Sequence, residues 1–160
     1  MANNFQITSP AFIPNGPIPE KYAADGENLS PPLAWSPPPE GAKSLALIVD
    51  DPDASSGVWV HWVLYNLPVN TRQLHENSSR THDLPKGAVE GLNSSKKIGY
   101  SGARPPSGTH RYFFKLYALD AILELAPGAT RMDLDQAMRG HIVARDELIG
   151  TYSHKSAVPK

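Results

Sequence analysis

The 160-residue chain contains no cysteine, which excludes disulfides and thiol nucleophiles and is compatible with a reducing compartment. It also lacks an excess of either charge, with 15 Lys plus Arg against 16 Asp plus Glu. So balanced a chain has no broad positive field with which to gather nucleic acid or an anionic membrane. No apolar run approaches the ~20 residues of a membrane span, and the start, Met1-Ala2-Asn3-Asn4-Phe5-Gln6, has no basic segment leading into an apolar one. At this length a chain buries roughly two thirds of its unfolded surface without a disulfide or metal staple. The expectation is one cytoplasmic domain over residues 1–160, with no nucleic-acid partner and no membrane span.

What the chain does have is proline, 16 residues of it, about twice the average content, and this favours strands joined by shaped loops over long helices. Ser44 to Val49 is a short, nearly continuous apolar run between polar and proline-rich turns and reads as a strand buried on both faces. Val58 to Leu67 and His110 to Leu119 are rich in β-branched and aromatic residues and read the same way. Phe5 to Ser9, Leu33 to Trp35 and Gly87 to Leu92 are weaker strand candidates, punctuated by Gly or Pro. Only the last quarter has helical spacing. Thr130 and Asp133 resemble a capping pair, and Leu134, Ala137, Met138, His141, Ile142, Leu148 and Ile149 recur near every third or fourth position. Gly140 would divide this into two short helices. Strands first and helices last predict a mainly β protein with short C-terminal helices at one end.

Chemistry-bearing residues crowd into Val49-Asp50-Asp51-Pro52-Asp53-Ala54-Ser55, followed at once by Val58-Trp59-Val60-His61-Trp62. Three carboxylates within four residues repel one another unless cations or hydrogen-bond donors stand among them. Strict strand alternation puts Trp59, His61, Val63 and Tyr65 on one face, and His110, Tyr112 and Phe114 on one face of the later strand. If those faces align, two imidazoles, a phenol and an indole converge near Asp51. The alternative is that each His is a half-buried structural residue. Between the strands, Gly99-Tyr100-Ser101-Gly102-Ala103-Arg104-Pro105-Pro106-Ser107-Gly108 could cradle an anion with backbone N–H groups or serve as a tight connector.

Asp51-Pro52-Asp53-Ala54, Trp59 to Trp62, the Gly102 loop with Pro105-Pro106, and His110-Arg111-Tyr112 together resemble the signature blocks of the phosphatidylethanolamine-binding protein family, especially its bacterial and archaeal Raf-kinase-inhibitor-like branch. Asn28-Leu29-Ser30-Pro31-Pro32-Leu33-Ala34-Trp35 and His141 to Tyr152 also fit, in the expected order. The resemblance implies an antiparallel β-sandwich with a small anion pocket at one end. It also implies that Asp51, Asp53, His61, Gly102, His110 and Tyr112 stand at the pocket, with Trp59 on its wall. Ser55 replaces a usual proline, and Ala103-Arg104 replaces the usual Gly102-proline continuation, so that Ala103 restores a backbone N–H and Arg104 adds a cation at the rim or points into solvent.

The functional expectation is a small-ligand-binding protein with a pocket for phosphate or a phosphoethanolamine-like headgroup, regulatory through protein binding in some relatives. In it, Asp51 or Asp53 would raise the pKa of an imidazole, His61 and His110 would donate to the anion, and a free carboxylate would meet an ammonium. No cofactor or metal is expected. The alternative is a hydrolase using the same pocket, either metal-dependent through two His and two Asp, or carboxylate- and His-based with Ser55, Ser101 or Ser107 in reach. Trp35 and Trp62 read as core anchors, Lys96-Lys97 as a solvated loop, and His75, His82, His141 and His154 as structural or exposed. A homodimer is compatible with exposed sandwich faces but no feature demands one.

Overall fold

The structure, a computed structural model, describes residues 4–154. Among the described residues eight strands and one α-helix follow in chain order: β1 (Ile7–Thr8), β2 (Leu33–Trp35), β3 (Ser44–Asp51), β4 (Trp59–Pro68), β5 (Gln73–Leu74), β6 (Val89–Glu90), β7 (Thr109–Leu119), α1 (Arg131–Met138) and β8 (Ile142–Ser153). A five-stranded antiparallel sheet has the order β6-β4-β3-β7-β8, and a three-stranded one has the order β1-β2-β5. Ile7, Leu33, Trp35 and Leu74 of the small sheet pack with Leu45, Leu47, Val49, Trp62, Leu64, Phe114, Leu116 and Leu148 of the large one, forming the sandwich core.

The large sheet is also covered on its outer face. There Leu134 and Met138 of α1 pack with Ala46, Ile48, Val63, Tyr65, Tyr117 and Leu119. Every residue of β3 is therefore buried, which is the physical reason its sequence is a continuous apolar run rather than an alternating one. α1 starts in a complete capping box: the Asp133 N–H donates to Thr130 Oγ1 at 3.1 Å and the Thr130 N–H to Asp133 Oδ2 at 3.0 Å. Aspartate thus fills the place usually held by Glu or Gln.

The second expected helix does not form. Gly140, at φ 81°, ends the helical segment, and Ile142–Ser153 runs as a strand paired with β7 from end to end. Ala144 and Leu148 face the core, and a spacing of four satisfies a strand as well as a helix. Asp146, between them on the same face, spends its carboxylate on the Ile7 N–H at 2.8 Å, so the alternation that would have marked the strand is broken by a polar residue. Among the described residues no helix is long and apolar enough to cross a membrane.

Candidate functional site

Each of the three crowded acids has its own hydrogen-bond donors. Asp50, on the outer face, is 1% exposed and receives Lys115 Nζ at 3.0 Å and Arg131 Nη1 at 2.9 Å, both on Oδ2. Asp51, on the sandwich face, accepts the Asp53 N–H on Oδ1 at 2.8 Å and lies 2.6 Å from His110 Nδ1 through Oδ2. Asp53, beyond the strand end, is gripped by Arg111 through Nε, Nη2 and the backbone N–H at 2.9 to 3.0 Å. Those bonds from Arg111 hold the Asp53 carboxyl down at about 2. Strand alternation separates Asp50 from Asp51, and the turn removes Asp53 from both.

The meeting of the two histidines depends on a β-bulge. Val49 lies opposite Trp62 and Asp50 opposite Val60, so His61 is an extra residue in β4. Strict alternation would have put His61 with Val63 and Tyr65, on the face covered by α1. The bulge instead leaves Val60 with Val63 and Tyr65 on that face and turns His61 to the same side as Trp62 and Leu64. There the His61 ring stands edge-on to Tyr112, centroids 5.3 Å apart at 69°. Tyr112 and His110 alternate inward along β7, and Asp51 and Trp59 are direct cross-strand partners.

These residues line one cavity of about 280 Å³, closed by the loop carrying Ser101, Gly102, Arg104, Pro105 and Pro106. Of the expected site residues, Asp51, Trp59, His61, Gly102, His110 and Tyr112 are on its wall. Asp53 is not, because Arg111 holds it outside. Ala103 is not either: it is buried, with its carbonyl accepting the Ala24 N–H at 2.9 Å. Arg104 is on the wall but mostly exposed, in a loose 3.5 Å pair with Asp25. Each Asp51 oxygen and each Asp53 oxygen already accepts a hydrogen bond from the protein.

The glycine loop plays a different part from the one its composition suggests. The Gly102 N–H is not open to a ligand; it donates to Asn28 Oδ1 at 2.6 Å. A Cβ on Gly102 would stand 2.5 Å from the Tyr22 carbonyl oxygen and 2.6 Å from Asn28 Oδ1, so this glycine lets the loop press against residues 22–28. The residue that matters chemically is Ser101, whose carbonyl accepts the Nδ1 proton of His61 at 2.6 Å. The loop is held from behind by Glu90, a buried carboxylate that accepts from Trp62 Nε1, Ser79 Oγ and the Arg80 N–H, while Ser79 Oγ accepts the Tyr100 N–H. Ser101 and Asn28 act through a backbone carbonyl and a long-range side-chain contact, and neither leaves a local sequence signal.

Both imidazoles are thereby fixed in orientation. A carbonyl and a carboxylate can only accept, so Nδ1 carries the proton in each ring and Nε2 is the free nitrogen. Burial pushes the His61 pKa below its ordinary value, outweighing the carbonyl and Asp51, which act the other way. The expected acid-raised imidazole is thus not His61, whose ring is held neutral. Burial, reinforced by Asp51, raises Tyr112, so its hydroxyl stays protonated. Among the described residues, His61 Nε2, His110 Nε2 and the Tyr112 hydroxyl have no protein partner.

A lowered pKa has a sign. Unfolded His61 takes up a proton near pH 6.5 and the folded ring resists it, so the stability linked to neutral His61 is complete above that pH and is lost as pH falls toward the folded value. Urea unfolding at pH 7.5 and 5.5 should show a larger loss for wild type than for His61→Gln. An equal loss in both would remove His61 as the cause.

Among the described residues no three of His, Cys, Asp and Glu are grouped so as to hold a metal ion, and the two His and two Asp of the metal alternative are divided by the Asp53–Arg111 pair. No serine hydroxyl bonds to either Nε2 among those residues, which leaves the hydrolytic alternative without a nucleophile and base in contact.

Comparison with known proteins agrees with this architecture. The profile of the phosphatidylethanolamine-binding protein family matches residues 8–153. The UPF0098 protein of Methanothermobacter thermautotrophicus is 54% identical over 142 residues, covering 89% of this chain and 94% of the relative. A crystal structure of a putative phosphatidylethanolamine-binding protein homologue from Chlamydia trachomatis superposes with a TM-score of 0.88 at 44% identity, covering 96% of this chain and 100% of that one. The structure of YbcL from E. coli, described as a member of the mammalian family, superposes with a TM-score of 0.89 at 32% identity, covering 95% and 99%.

Proposed function

We propose, from the premise that this chain belongs to the phosphatidylethanolamine-binding protein family, that it is a small-ligand-binding protein whose cavity receives an oxyanion, either phosphate or the phosphate of a headgroup such as phosphoethanolamine. The observation that carries this reading is the set of three polar atoms without partners among the described residues around one small cavity: His61 Nε2, His110 Nε2 and the Tyr112 hydroxyl. Polar atoms of otherwise buried rings that converge on one cavity with no protein partner are available to an entering ligand. With Nδ1 on Asp51, His110 is the ring in which a positive charge would be met by a carboxylate on one side and an anion on the other.

The cavity volume suits a phosphate-sized group rather than a drug-sized ligand. Trp59, 38% exposed at the mouth, and Arg104 would meet whatever substituent extends outward. Titrating the labelled protein with inorganic phosphate at pH 6 should shift the resonances of Trp59, Ser101, His110 and Tyr112 together. An absence of shifts at these residues would reject the reading.

A further inference from the structure

The two rings around the cavity are not equivalent donors. His61 gives its Nδ1 proton to the Ser101 carbonyl at 2.6 Å and is 5% exposed. His110 gives its Nδ1 proton to a carboxylate, the partner that can balance a charged ring; Ser101 offers His61 only a neutral carbonyl. A charged His61 would also stand beside His110, and two imidazolium rings in one cavity repel each other. The charged and titratable groups facing His61 are Asp51 from β3, His110 and Tyr112 from β7, and Arg104 from the loop; Asp50 lies on the opposite side of the sheet. Arg104 opposes a second positive charge and Asp51 is already committed to His110. His61 Nε2 therefore meets a ligand as a lone pair, an acceptor set among donors.

An oxyanion with no hydrogen would place an oxygen lone pair against that nitrogen. One bearing a hydroxyl would satisfy it: its unprotonated oxygens accept from His110 Nε2 and the Tyr112 hydroxyl while its own O–H donates to His61 Nε2. We infer that this cavity selects oxyanions that still carry a proton, namely inorganic phosphate and phosphomonoesters in their monoanionic forms, over oxyanions of equal charge and shape that carry none. The inference rests on the anion reading above and sharpens it. A phosphodiester, the form of phosphate within an intact phospholipid, has no such proton, so the favoured ligands are soluble monoesters. Sites built around a hydrogen bond reject the analogue that lacks it because their own polar group is left unpaired.

Methyl phosphate and methyl sulfate form the test pair. At pH 6, close to the second pKa of a phosphomonoester, about half of methyl phosphate is a monoanion with one hydroxyl, and methyl sulfate is a monoanion of the same shape with none. Calorimetric titration of the full chain should find methyl sulfate weaker by about 10- to 100-fold, the cost of one buried acceptor left unpaired. A second comparison sets O-phosphoethanolamine, a monoester, against glycerophosphoethanolamine, a diester with the same ammonium, and the monoester should bind more tightly. Equal binding of the methyl pair, or a diester as tight as its monoester, overturns the selection while leaving the anion site standing. If neither inorganic phosphate nor any of these anions binds, both the selection and the anion reading fall.

Discussion

Replacing His110 by Ala should abolish phosphate binding, with affinity falling at least ~100-fold, the scale of a hydrogen bond between charged partners in a shielded site. The side chain supplies the cavity's imidazole with a carboxylate behind it, and its loss leaves Asp51, 3% exposed, with the Asp53 N–H but without its ring partner. An anion entering such a cavity would meet a buried negative charge with only the mostly exposed Arg104 on the wall to offset it, so the variant should hold phosphate poorly. His110 is near the end of β7, away from the packed stretch Phe114 to Leu119, and the variant should still fold; circular dichroism and the melting temperature would check this. Asp51→Asn offers a milder comparison. Asparagine can still accept from Nδ1 but cannot balance a charged ring, so affinity should fall less steeply than in His110→Ala. Unchanged phosphate affinity in His110→Ala would remove this residue from the site.

Asp50→Ala should have the opposite profile, with a large loss of stability and intact anion binding. Asp50 is one residue from Asp51 but faces α1, where a single buried carboxylate receives both Lys115 and Arg131. Arg131 also pairs with Asp135 at 2.8 Å, so the carboxylate ties the first turn of the helix to the centre of the sheet. Removing it leaves two cations facing each other at a half-buried site. Breaking a buried ion pair from one side costs about 3–5 kcal/mol; because Lys115 and Arg131 are each about a quarter exposed and can turn toward water, the lower end applies. For a chain of this size ~3 kcal/mol corresponds to a fall of roughly 10 °C in Tm. Thermal unfolding would measure it, and a phosphate titration below the transition should match wild type. A stability change within ~0.5 kcal/mol would show that the two cations are as well off in solvent.

The contrast between neighbouring acids marks where reading the chain succeeded. Continuous apolar β3, the aromatic strands β4 and β7, and even short β2 follow from local pattern, because burial on one face or both leaves its period in the residues. The capping pair at Thr130 and Asp133 was visible for the same reason: it is a local contact. β8 escaped because Ala144 and Leu148 fit two periods and Asp146 hides the alternation.

The residues of the site were legible mostly as types and through family resemblance; their chemistry was not. Acids, two histidines, a phenol and a glycine loop were all apparent from the sequence. Which acid serves which donor was decided by strand pairing, which sends Asp50 to Lys115 and Arg131, Asp51 to His110 and Asp53 to Arg111. Gly102 looked like a donor and proved to be a point of close packing.

By itself, the sequence determined a mainly β protein, its buried central strand and the cast of polar residues, since hydrophobic period and turn chemistry act between near neighbours; the sandwich came through the family resemblance. Tertiary structure alone decided the meeting of His61 with His110, because one extra residue in β4 reverses the face on which a side chain emerges. It also decided the proton on each ring, because a carbonyl forty residues away and a carboxylate fifty-nine residues away choose the tautomers.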